Sequence, residues 1–197
     1  MKMLTRNRLA AFVAMALLAL TSAASWLLAS GAQTSQMIFR VSGANTLVIS
    51  SASTASGPID ADWTTLLSSG TGANQASNIY TARRTLASGA TENLDLYGSL
   101  TNAFGVTLNF TKIKAIMVKA DSANTNDVQV QRASSNGVPL FMAASDGVQL
   151  RPGAWFVYVQ PDSSGIAVTS GTGDILTFTN STTGSSVIYD ILIIGVD

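Results

Sequence analysis

Val128-Gln129-Val130-Gln131-Arg132 alternates apolar and polar side chains with a period of two. A strand with one face on a core and the other in water requires that pattern; a helix would scatter it round its axis. The alternation returns in Val148-Gln149-Leu150-Arg151, so both runs are predicted on an exposed sheet. Asn136-Gly137 and Asp146-Gly147 supply residues that tolerate positive φ in tight turns. Pro139, lacking an N–H, belongs at an edge or a bulge.

Two other runs are apolar on both sides, Trp155-Phe156-Val157-Tyr158-Val159 and Val187-Ile188-Tyr189-Asp190-Ile191-Leu192-Ile193-Ile194. Each needs cover from two directions, as a central strand or as a strand with one face in a subunit interface. From Met37 onward, short runs rich in Val, Ile, Thr and aromatics are separated by Gly, Asn, Asp, Ser and Pro about every ten residues. Strands are predicted at 37–41, 45–50, 79–87, 91–97, 108–119, 127–132, 138–143, 147–151, 154–160, 165–169, 174–179 and 186–195, with no helical period after residue 36. The fold class expected is all-β, an antiparallel β-sandwich of jelly-roll type.

The first 36 residues differ. Lys2, Arg6 and Arg8 precede an apolar run from Leu9 to Leu20, followed by Thr21-Ser22-Ala23-Ala24 and Trp26-Leu27-Leu28-Ala29. This reads as a signal peptide cleaved before Ser25. It also reads as a helix, since Leu9 to Ala32 is uncharged and about 36 Å long as an α-helix, enough to contact or span a membrane through residues 9–32. A helical arm packed among neighbouring subunits is the third reading. The domain plan is therefore an apolar N-terminal segment at 1–36, a short β piece and linker at 37–57, and a sandwich domain at 58–197. Ser51-Ala52-Ser53-Thr54-Ala55-Ser56-Gly57 supplies the flexible composition of the linker.

Charge and chemistry narrow the function. The chain has no histidine and no cysteine, and only 11% of it is charged, against about 25% in a typical soluble domain. Imidazole and thiolate carry most general-base, nucleophilic and metal chemistry near neutral pH, so most enzyme classes lose their means. Beyond Arg8, eight basic residues face eleven acidic ones. A nucleic-acid partner would demand the opposite balance in a cluster. Arg83-Arg84 and Lys112, Lys114 and Lys119 read as solvated strand positions.

The remaining motifs read as structure. Gly70-Thr71-Gly72 and Gly171-Thr172-Gly173-Asp174 lead into no helix and have no phosphate-loop ending, so they read as turns. Asp121-Ser122-Ala123-Asn124-Thr125-Asn126-Asp127 is oxygen-rich but lacks calcium-loop spacing and reads as a hairpin connection. Asp60 and Asp62 would share a strand face, and Glu92 and Asp95 would not; all read as solvated acids without the apolar cleft that a hydrolytic pair needs. No Gly-x-Ser-x-Gly elbow occurs. No catalytic residue, cofactor or metal is expected.

A set of segments resembles a family of small proteins encoded among the structural genes of tailed bacteriophages. It includes Gly70 to Ala76, Leu94-Asp95-Leu96-Tyr97-Gly98-Ser99-Leu100-Thr101-Asn102-Ala103-Phe104-Gly105, Ile113 to Lys119, Asn124-Thr125-Asn126, Arg151-Pro152-Gly153, Gly165 to Thr169, Gly171 to Asp174, and Tyr189 to Gly195. The resemblance covers about residues 68 to 197 and implies a β-rich, non-enzymatic virion component that decorates or cements a capsid, or forms part of a fibre or vertex. The apolar N-terminus departs from the pattern. The expected partners are copies of the chain itself, as a trimer, and the major capsid or other virion proteins, with no nucleic acid. The interface is expected at Trp155, Phe156, Val157, Tyr158 and Val159, with Ile188, Ile191 and Ile193 of the last strand. The alternative is an exported or membrane-anchored bacterial envelope protein whose sandwich binds carbohydrate on an aromatic patch drawn from Trp63, Trp155, Tyr80, Tyr97, Tyr158 and Tyr189.

Overall fold

The computed structural model describes residues 34–50 and 53–197. This part is all-β, with several antiparallel sheets and no helix among the described residues. The apolar segment predicted as a helix lies outside them up to residue 33, and Ser35 and Gln36 already belong to the first strand.

The strands are β1 (Ser35–Ser50), β2 (Ser53–Ser69), β3 (Gln75–Ala76), β4 (Asn78–Leu86), β5 (Thr91–Asp95), β6 (Tyr97–Thr101) and β7 (Thr107–Asn109). They continue as β8 (Lys112–Ala120), β9 (Val128–Arg132), β10 (Gly147–Leu150), β11 (Trp155–Val159), β12 (Ile166–Ala167), β13 (Ile175–Asn180) and β14 (Val187–Val196). One sheet has the order β10-β9-β13-β5, and a second the order β11-β8-β14-β4, with β12 also on β8. β6 and β7 form a small hairpin, and β1 and β2 a long one that β3 joins at its base.

The two larger sheets enclose one core. Val128, Val130, Leu176 and Phe178 from the first meet Ile116, Val118, Tyr189, Ile191 and Ile193 from the second, all buried. Phe178 stacks on Tyr189 across the interior, centroids 4.5 Å apart and planes 6° apart. Each such side chain contributes about 1.5–3 kcal/mol by leaving water. Alternation sends Gln129, Gln131, Thr177 and Thr179 to the opposite, solvated face of their sheet, as the opening pattern requires.

The last strand is central, between β8 and β4, while Trp155–Val159 forms an edge on β8. β14 and β8 shift register between Ile194 and Gly195, where Ile194 faces Ala115 and Gly195 faces Ile113. Lys114 is the extra residue of that bulge, and its side chain is fully buried. Gly195 is required there, since a Cβ would lie 2.4 Å from the Lys112 carbonyl oxygen.

Several expectations are corrected. The predicted strands 37–41 and 45–50 are one strand, and β2 runs through 53–57, so that part of the linker and the boundary at 57/58 fall inside a ladder that pairs Ser35 with Leu67 and Ser50 with Ser53. The small polar residues up to Gly57 read as linker because a strand outside a core can do without apolar side chains, whereas Asp60 and Asp62 do share a strand face as expected. Residues 138–143 form no strand: Arg132 donates to the carbonyls of Phe141 (3.2 Å) and Met142 (3.0 Å), and Leu140 bonds back to Val138. The predicted 108–119 strand breaks at Phe110 and Thr111, whose N–H groups go to Leu96 and Val196 outside the ladder. The loop 121–127 crosses from β8 to β9 in the other sheet and is no hairpin.

Candidate functional site

The long hairpin has two unlike faces. Phe39 pairs with Trp63, Val41 with Ala61 and Met37 with Thr65, which puts their side chains on one side. Phe39 and Trp63 touch with ring centroids 5.7 Å apart. On the other side, Arg40 binds Asp60 (2.9 Å) and Thr64 donates to Asp62 (2.9 Å). Phe39 is 62% exposed and Trp63 59%, an unusual state for two large aromatics in contact.

Their apolar side looks onto the outer face of the β11-β8-β14 sheet. Met117, Leu192, Trp155 and Val157 line that face, and with Phe39 and Trp63 they bound a groove of about 710 Å³. Its inner end is closed by a second, smaller core in which Leu67, Ala76, Ala115 and Ile194 are buried and Met37, Ile79 and Val159 pack against them. Among the described residues, no ionisable side chain lines the groove. The nearby cation is Lys119, whose ammonium lies 4.9 Å over the Trp155 ring.

The hairpin base is anchored by polar contacts. Ser68 and Ser69 pair with Gln75 and Ala76 of β3, and Ser77 donates its N–H to Gly195 of β14 (2.9 Å). Lys114 reaches from the bulge to the carbonyls of Gly72 (3.2 Å) and Asp162, while Asn74 donates to Pro161 (2.7 Å). Burial lowers the Lys114 pKa, the Lys112 charge adds to that, and Asp162 opposes both. Lys114 is therefore no solvated strand position, contrary to expectation.

Arg83 and Arg84 also part company, because neighbours on a strand face opposite ways. Arg83 is exposed and pairs with Asp190 (3.2 Å) and Asp121. Arg84 turns toward Glu92 (Nε to Oε2, 2.9 Å), whose other oxygen accepts the Tyr189 hydroxyl at 2.6 Å. Desolvation pushes the Glu92 carboxyl up, but Arg84 and Tyr189 together outweigh it and hold it below the ordinary carboxylate range. Burial, then the bond to Glu92, drives the Tyr189 phenol far above its ordinary value. Glu92 is thus kept ionised and Tyr189 protonated, which suits a fixed tie between two sheets and not proton exchange near neutral pH. No group of three or more Asp, Glu, His or Cys able to hold a metal occurs among the described residues.

The eight predicted interface residues are not brought together. Trp155 and Val157 face the groove, and Val159 lies at its base. Phe156 turns inward against Phe141, ring centroids 5.7 Å apart, and Tyr158 is exposed with its hydroxyl on Gln160 (3.2 Å). Ile188 lies outside the groove lining, its backbone bonded at N and O by Asn124. Ile191 and Ile193 point into the core and offer nothing to a partner. Nor do the aromatics assemble into one patch: Trp63 and Trp155 share the groove, whereas Tyr80 and Tyr189 are buried. The hairpin half of the groove was missed by sequence reasoning, although the alternation Phe39-Arg40-Val41-Ser42 and Ala61-Asp62-Trp63-Thr64 carried its signal.

No protein-family model matches the chain, and neither a curated protein nor a solved structure matches it.

Proposed function

We propose that this chain is a non-enzymatic structural protein of a virion surface, a jelly-roll-like sandwich that assembles with copies of itself and seats on the capsid. One observation carries the reading: two touching, exposed aromatics on a hairpin beside a neutral apolar groove of about 710 Å³. The occupant proposed for the groove is the β1–β2 hairpin of a second copy. Among the described residues, the groove lining and the Phe39–Trp63 side of the hairpin are uncharged and belong to the same chain, so a head-to-tail contact satisfies each, and three such contacts close a trimer.

Strand order supports the sandwich type. Sheets β11-β8-β14-β4 and β10-β9-β13-β5 exchange the chain at every step among these eight strands except β9 to β10, the alternation that two interlocked Greek keys require. That architecture recurs in capsid domains, an analogy of fold and not of site.

The test is sedimentation of the full chain beside the double variant Phe39→Ser/Trp63→Ser and the single variant Trp155→Ser. The expected result is a wild-type oligomer that reverts to the 20.4 kDa monomer in both variants with unchanged circular dichroism. A monomeric wild type, or variants that stay assembled, would defeat the assembly reading. Gold-labelled antibody against the chain that fails to mark purified particles would defeat the virion reading.

A further inference from the structure

We infer that the solvated face of the β10-β9-β13-β5 sheet binds a neutral saccharide. The inference is independent of the apolar groove, which lies on the other sheet. A concavity of about 380 Å³ opens over β5, β13 and β9, within the size range of small-ligand sites. Its floor is Thr91, Asn93, Gln131, Thr177 and Thr179. Ser134 and Ser135 wall it on one side and Ser145, held in the left-handed region at φ 67°, on another.

The floor is a registered polar array. Thr177 sits between Asn93 and Gln131 across the three strands, and Thr179 sits opposite Thr91. Thr177 donates to Asn93 Oδ1 (2.7 Å), Thr179 reaches Gln131 Oε1 (3.5 Å), and the Thr91 and Thr179 hydroxyls are 3.0 Å apart. Each amide oxygen thereby accepts one bond from within the sheet and keeps a second lone pair, so Asn93 and Gln131 offer the concavity both amide N–H donors and a remaining acceptor. Ringed by serine hydroxyls, which both donate and accept, this array matches the mixed donor and acceptor character of sugar hydroxyls.

Other ligand classes fit less well. Among the described residues, the one charged side chain lining the concavity, Arg132, spends a terminal nitrogen on the carbonyls of Phe141 and Met142, so an anion finds one partly committed cation. Asp146, beside Ser145, is turned to the Ala143 N–H (2.8 Å) and supplies no counter-charge for a cation. A nucleic acid would need aromatic rings and a basic groove, and the lining has no ring.

The experiment is binding of the labelled full chain to immobilised maltotriose, cellotriose, triacetylchitotriose and mannotriose, with uronate-bearing and sulfated oligosaccharides as further arms. Capture by at least one neutral trisaccharide is expected, reduced at least tenfold by Asn93→Ala and by Gln131→Ala, while Phe104→Ala, at an exposed loop position that lines neither the concavity nor the apolar groove, binds as wild type. Both amide variants lie on a solvated face and are expected to keep the wild-type melting temperature, which separates lost contacts from lost fold. Capture by charged glycans alone, no capture at all, or undiminished binding by both amide variants would overturn the inference.

Discussion

Tyr189, at the centre of one sheet, donates its hydroxyl proton to Glu92 of the other across 2.6 Å. The phenol is buried and its ring already stacks on Phe178, so packing and hydrogen bonding are separable. Tyr189→Phe keeps the stack and deletes a bond to a charged acceptor. It should destabilise the fold by about 1.5–3 kcal/mol, read from urea denaturation, with no change in near-ultraviolet signal from the remaining aromatics.

The same pair sets a pH response. Because the folded Glu92 pKa lies below its ordinary value of about 4.3, the unfolded chain takes up the proton first as pH falls. Stability from this group is therefore full above that value and is lost as pH drops through the folded one. At the other extreme, the raised Tyr189 pKa means that the unfolded chain releases its proton first above about pH 10, so stability falls again there. Glu92→Gln should flatten the acid slope, measured as denaturation midpoints over about pH 3 to 7.

Lys114 couples the bulge to two loops through the Gly72 and Asp162 carbonyls. Lys114→Ala removes the stem and leaves both carbonyls without that donor, for an expected loss of about 2–4 kcal/mol. Lys114→Met restores the stem and should recover most of it. Since the folded pKa is lowered, wild-type stability should rise as pH climbs from that value to the ordinary lysine value of about 10.4, and the Met variant should lack the rise.

Asn126 Nδ2 lies 3.0 Å from each of three acceptors, Asn180 Oδ1 and the Thr182 and Ser185 carbonyls. Asn126→Ala should cost about 1–3 kcal/mol. Asn126→Asp should cost more, because a carboxylate donates nothing and sets its charge against three oxygens. Equal melting temperatures for the two variants would contradict this geometry.

Glycine positions give a further contrast. At Gly195 an added methyl meets the Lys112 carbonyl at 2.4 Å and Phe110 at 2.8 Å, whereas at Gly43 it meets nothing within 4 Å. Gly195→Ala should lower stability by about 1–3 kcal/mol, and Gly43→Ala should leave thermal unfolding within about 0.5 kcal/mol of wild type.

How much of this was legible in the sequence depends on range. Alternation at 128–132 reports only which side of a strand is wet, and it placed Gln129 and Gln131 outward. The two-sided greasiness of 155–159 demanded cover from two directions, whereas Trp155, Val157 and Tyr158 are exposed on an edge strand; that edge position and the hairpin beside it depend on residues about forty to one hundred and twenty positions away. Glu92 reads as a surface acid because nothing local announces Arg84 and Tyr189. Asp60 and Asp62 were legible as neighbours on one strand face, but the ladder that pairs them with Ser42 and Arg40 was not. The neutral array at Asn93, Thr177 and Gln131 likewise exists only once three separated strands are in register.

The β1–β2 ladder runs from Ser35 opposite Leu67 to Ser50 opposite Ser53, and among the described residues its third strand pairs with it only at Ser68 and Ser69. A lone pair of strands is marginal in water. Whatever settles on this ribbon therefore also supplies part of its rigidity, so that docking and stiffening share one free energy. In the proposed assembly, such coupling would weaken each contact relative to its area yet let copies add and correct themselves reversibly before the whole locks.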